Sequence, residues 1–85
     1  MHWQHETPPK IIAAIGSMTA AIKAQRALER TGILSQVVSL SPTETRRGCA
    51  YGISYAADRH SAVRQALRLA RISVSEYLQK GGTQP

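Results

Sequence analysis

Phenylalanine is absent from this 85-residue chain, and one tryptophan and three tyrosines supply all of its aromatic rings. The core must therefore be built from Ile, Leu, Val and Ala. A chain this short forms one domain and buries only about 60 to 65% of the surface it exposes when unfolded. So thin a core makes a homo-oligomer, which hides more apolar surface, a reasonable expectation. The single cysteine excludes an internal disulfide and any Cys-x-x-Cys exchange within one chain. Long apolar runs are missing too. The longest, Ile11 to Ile15, is far short of the roughly 20 residues that span a bilayer, so no membrane segment is expected. No basic start precedes an apolar stretch of the kind that marks a secretory signal, and the cytoplasm is the expected location. Acidic residues are scarce: five Asp and Glu face eleven Lys and Arg, eight of them arginine, for a net charge of +6. That excess favours anionic partners, whether nucleic acid, a phosphorylated ligand or an acidic protein. Phosphate-binding glycine loops, paired carboxylates and metal-ligand clusters are absent from the sequence, which leaves a conventional hydrolase or dehydrogenase without support and calls for no metal or bound cofactor.

What is present reads as two strand-helix-strand units. Residues 1–9 form a polar segment closed by two prolines, taken as a flexible tail. His2 and His5 lack a third ligand and read as ordinary histidines, with Trp3 between them. Lys10 to Gly16 is an unalternating, Ile-rich run expected to be a buried strand. Ser17 is a helix N-cap, and a helix from Met18 to Arg30 presents Met18, Ala21, Ile22, Gln25 and Leu28 on one face. Thr31-Gly32 ends it. A second strand is expected from Ile33 or Leu34 to Leu40, and Ser41 to Gly48 forms a polar loop. Between Ala50 and Tyr55, Tyr51, Ile53 and Tyr55 share a bulky face, while Ala50, Gly52 and Ser54 share a smooth one. Asp58 or Ser61 is expected to cap a second helix with Val63, Ala66, Leu67 and Ala70 toward the core. Arg64, Arg68 and Arg71 fall at i, i+4 and i+7 beside that face, as a solvated arginine face or an anion patch. Ile72 to Gln79 is weakly patterned, with Ile72, Val74 and Glu76 set against Ser73, Ser75 and Tyr77, and is expected as a final strand before a flexible tail at residues 80–85. This order predicts an α+β, ferredoxin-like βαββαβ sandwich over residues 10–79: a four-stranded antiparallel sheet with two helices on one face. The other face is where such a sheet meets partners or further copies.

The stretch Arg46-Arg47-Gly48-Cys49-Ala50-Tyr51-Gly52 concentrates the chemistry. A thiol acts as a nucleophile only as thiolate, which neighbouring cations such as Arg46 and Arg47 favour. Gly48 can adopt positive φ and leave the sulfur open to approach, and Gly52 offers the same freedom or marks a bulge. Unpaired cysteines also serve as small apolar packing, and residue types alone favour that inert role. A Cys49–His60 pair would need the fold to bring His60 to the thiol.

Taken together, the Ile-rich first strand, the segment Ala-Leu-Glu-Arg-Thr-Gly (Ala27 to Gly32) and the loop running Arg-Arg-Gly-Cys-Ala-Tyr-Gly-Ile (Arg46 to Ile53) resemble the selenium/sulfur carrier protein-like family from about Lys10 to Leu78. The Gly48-Cys49 pair opening the third strand is the most specific part; Ala50 stands where many members have glycine. The resemblance implies a carrier, rather than an enzyme with its own turnover, that holds sulfur or selenium on Cys49 as a persulfide or selenosulfide. Its partners would be a donor such as a cysteine desulfurase and an acceptor protein. The competing readings are a basic nucleic-acid or anion-binding module and an oligomeric interaction module, each with an inert Cys49.

Overall fold

A computed structural model describes residues 9–81. Its elements are β1 (Pro9–Gly16), α1 (Met18–Arg30), β2 (Gln36–Ser39), β3 (Tyr51–Ala56), a 3-10 turn (Ala57–Arg59), α2 (His60–Leu69) and β4 (Glu76–Gly81). The sheet runs β2-β3-β1-β4, and every neighbouring pair is antiparallel. This is the split βαβ arrangement of a ferredoxin-like α+β sandwich, with the crossover helices on one side. The expected residues 1–9 include Pro9, which pairs with Gly81 at the start of β1; His2, Trp3 and His5 lie outside the described residues. No helix among the described residues is long and apolar enough to cross a membrane.

Local chemistry accounts for α1. The Ser17 hydroxyl accepts from the Ala20 amide at 3.1 Å, closing the first turn. At the other end Gly32 takes φ of 78°, and the Gly32 and Ile33 amides donate back to the carbonyls of Glu29 and Leu28. That is a Schellman ending, with buried Ile33 covering the last turn. The buried face is Ala21, Ala24, Ala27 and Leu28. Met18 is exposed, and Ile22 and Gln25 are only half-buried, so the helix is rotated from the expected stripe. Alanines at the contact let its backbone come close to a sheet face that carries the bulkier Ile53 and Tyr55.

The second helix ends in the same way without glycine. Arg71 has φ of 61°, and the Arg71 and Ile72 amides donate to the carbonyls of Arg68 and Leu67 at 3.0 Å. Arg71 therefore occupies a left-handed position that L residues enter at a cost. It lies beyond α2, and Ala70, expected in the core, is exposed; Val63, Ala66 and Leu67 alone form the buried face. Neither Asp58 nor Ser61 caps the helix, because the 3-10 turn leads the chain directly into it.

Two apolar clusters lie on opposite sides of the sheet. The larger joins Ala13, Ile53 and Tyr55 to Leu28, Val63 and Leu67 of the helices. The smaller gathers Ile12, Ala14 and Leu40, with Val38, Cys49 and Leu78 packed against it. Strand β2 is shorter than expected: Leu34 is 89% exposed outside it, and Leu40 is buried just beyond it. The last strand begins at Glu76 and extends past Gln79 to Gly81. Ile72 and Val74 pack on the helix-side cluster before it starts, while Glu76 and Leu78 pair with Ala14 and Ile12 of the opposite cluster. Glu76 thus parts company with Val74, because the chain turns at Ser75, whose amide donates to the Ala14 carbonyl at 2.8 Å.

Candidate functional site

The loop between β2 and β3 folds over the sheet face away from the helices. It leaves through Leu40, whose amide donates to the Ala50 carbonyl at 2.7 Å, so its two ends are clamped together. Within it the Ser41 amide donates to the Glu44 carboxylate at 2.7 Å. Thr45 is 7% exposed, and its hydroxyl accepts from the Cys49 amide at 2.8 Å. The far end of the loop is tied to a distant strand: the Arg46 amide donates to Glu76 Oε2 at 2.8 Å. These contacts make the loop a strap running from the β2–β3 hairpin to the opposite edge strand.

Cys49 sits where the strap re-enters the sheet. It is half-buried, free of any disulfide, and rests against the Ile12, Ala14 and Leu40 cluster. Gly48 precedes it with φ of 68°; a Cβ there would meet no atom within 4 Å, so the demand for glycine is conformational and not steric. Gly52 is the reverse case. A Cβ on it would clash with the Ala13 carbonyl oxygen and lie 3.1 Å from Ile12 Cγ2, because β1 and β3 approach closely beside the register shift between Ala14 and Gly16. The smooth face expected of Gly52 and Ser54 is therefore the strap side, and exposed Ala50 borders it.

Arg46 and Arg47 are both exposed, and with Ser75 and Glu76 they line a cleft of about 400 Å³ on the strap side of β4. Cys49 is not among its lining residues. The arginines and the thiol belong to one loop but open onto different surroundings, the first toward β4 and the second toward the middle of the sheet.

The expected arginine trio is divided. Arg64 and Arg68 line a second cleft, of about 260 Å³, between α2 and β4, with Leu67, Ile72, Val74 and Tyr77. Arg71, outside the helix, borders another hollow with Lys23 and Ile15. The cleft's tyrosine is braced: the Tyr77 ring meets His60 edge-on at 4.9 Å between centroids, and His60 Nδ1 lies 2.9 Å from the Tyr55 hydroxyl. Burial, reinforced by Tyr77 and partly offset by Arg64, pushes the Tyr55 phenol well above the usual tyrosine range.

His60 is therefore on the helix side of the sheet and Cys49 on the strap side, so the two do not form a nucleophile–base pair. Tyr51 and Tyr55 also face the helix-side cluster, and the strap side offers no tyrosine on which a base would stack. No group of three or more His, Cys, Asp or Glu among the described residues is placed to hold a metal. Two participants were not singled out from sequence, Thr45 and Glu76. The hydroxyl four residues before the cysteine was the available signal for Thr45, whereas the 30-residue separation of Arg46 and Glu76 left none.

No family model, curated protein or solved structure matches this chain.

Proposed function

We propose that this protein is a cytoplasmic sulfur or selenium carrier that holds its cargo on Cys49. The observation carrying this reading is the setting of the lone thiol: half-buried where a braced loop re-enters the sheet, directly after a left-handed glycine and on the same loop as two exposed arginines. The resemblance of the Gly48-Cys49 stretch to carrier proteins supports it. Thr45 holds the Cys49 amide, and the Glu76 tie fixes the strap, so the sulfur is presented from a defined position.

The Cys49 thiolate attacks the terminal sulfur of a donor persulfide. A bond forms between Cys49 Sγ and that sulfur as the donor's S–S bond breaks, and the donor's inner sulfur leaves as thiolate with the electron pair. The exchange is redox-neutral, and the terminal sulfur keeps its proton or releases it to solvent. Arg46 and Arg47, exposed on the same loop but facing β4, act at longer range by attracting an anionic donor, through screened interactions worth about 0 to 1 kcal/mol each. Delivery repeats the exchange, with the acceptor's thiolate attacking the terminal sulfur and Cys49 as leaving group.

The test is intact-mass measurement after incubation with a cysteine desulfurase and cysteine. The parent should gain one sulfur that dithiothreitol removes, and Cys49→Ser should gain nothing. Replacing both Arg46 and Arg47 by Ala should slow loading about threefold to tenfold. A parent that acquires no adduct refutes the reading, and equal loading by the double variant refutes the electrostatic part.

A further inference from the structure

Strand β4 is an edge of the sheet, and among the described residues no strand pairs with its outer side. An unpaired edge offers a row of backbone donors and acceptors that natural proteins usually blunt or use. Here it is flanked by arginines on both faces. On the strap side Arg46 and Arg47 line the cleft that Ser75 and Glu76 complete, and on the helix side Arg64 and Arg68 line the cleft that Val74 and Tyr77 complete. The residues that begin β4 thus form the divide between two basic clefts. Consecutive side chains of a strand point to opposite faces, so two adjacent acidic residues on an added strand would enter one cleft each. The one carboxylate in either lining among the described residues is Glu76, already occupied by the Arg46 amide.

We infer that β4 is a docking edge for an extended acidic segment of a partner protein, which adds as a fifth strand and places neighbouring carboxylates against the two arginine pairs. Main-chain pairing supplies the register and the arginines supply the selectivity. The apolar floor of the helix-side cleft, Leu67 with Ile72 and Val74, accepts the aliphatic part of a glutamate side chain. A second copy is a poor occupant, because it would bring the same arginines and a +6 charge to the interface. The strap makes this edge relevant to Cys49, since Glu76 holds the loop that carries the thiol. In that respect the inference deepens the carrier reading by naming the kind of partner, though the docking itself needs no thiol.

The experiment therefore uses full-length Cys49→Ser, so that binding is measured apart from sulfur transfer. The probe is a fluorescein-labelled peptide with two adjacent glutamates between valines and threonines, read by anisotropy at low salt. The expected result is saturable binding that weakens about tenfold when Arg46 and Arg47, or Arg64 and Arg68, become alanine, each variant first shown to be folded by circular dichroism. Methylating alternate peptide amides should abolish binding for one set and spare the other, since only one edge of the added strand faces β4. Equal binding by a lysine counterpart, or indifference to both methylation patterns, overturns the inference. So does a dimer in sedimentation that the peptide cannot dissociate, or a single-stranded RNA that binds more tightly and loses affinity with the same substitutions.

Discussion

Replacing Gly52 by alanine adds one methyl group to the middle of the sheet, and the geometry fixes its effect. Gly52 lies on the third strand between Ala14 and Val38, and the new Cβ would clash with the Ala13 carbonyl oxygen. That obstacle is backbone in the central strand pair and cannot swing aside as a side-chain end would. Overpacking of this kind costs about 1 to 3 kcal/mol. Alanine recovers about 0.5 to 1 kcal/mol by restricting the unfolded chain, and the backbone of Gly52 is not left-handed, so no conformational strain is added. With a backbone obstacle the upper part of that cost applies, about 2 to 3 kcal/mol, so the expected net loss is about 1 to 2.5 kcal/mol, equivalent to a fall in Tm of about 4 to 20 °C for a domain of this size. Thermal unfolding followed by far-UV circular dichroism measures it, with Ser54→Ala, two residues further along the strand, as a reference expected within about 0.5 kcal/mol of the parent. A Gly52→Ala protein that melts with the parent would refute the close approach of β1 and β3.

Other outcomes are expected from the strap, the second helix and the buried phenol. Glu76→Ala removes a solvent-accessible acceptor for the Arg46 amide, worth about 1 kcal/mol, and should raise that amide's hydrogen-exchange rate about fivefold; unchanged exchange argues against the tie. Arg71→Gly relieves a left-handed side chain and should stabilise the protein by about 0.5 to 1 kcal/mol in urea titration, whereas Gly32→Ala at the matching end of α1 should destabilise it by a similar amount. Tyr55 holds its proton more tightly folded than unfolded, so its ionisation subtracts nothing below the ordinary tyrosine value of about 10 and progressively more above it. Tm should accordingly fall as pH rises past about 10, and less steeply in Tyr55→Phe.

The parts of the fold legible in the sequence are those whose causes are local. Ser17, the helical spacing after it and Gly32 delimit α1 because capping, periodicity and a left-handed ending act within a few residues. The order of strands and helices follows from the same signals, and with it the ferredoxin-like sandwich. Where distant contacts decide, the sequence misleads. Ile72 and Val74 look like the beginning of a strand, yet they belong to the helix-side core, and the strand starts after the turn at Ser75. Arg71 continues the spacing of Arg64 and Arg68, but the helix has already ended. At the candidate site, the lone thiol and its basic neighbours are visible in the chain. Their division between the middle of the sheet and the β4 cleft is not, because it depends on a hydrogen bond spanning 30 residues.

The strap carries a consequence for how the molecule responds to load. It continues from β2 and β3 in the chain but is fastened to β4 in space, so it works as a linkage between the two rims of the sheet. A force applied at β4, whether by a bound strand or by fraying of the edge, is transmitted to the segment bearing Cys49 without passing through the helices. The helical layer can then be altered without touching the contact that ties the Cys49 loop to β4.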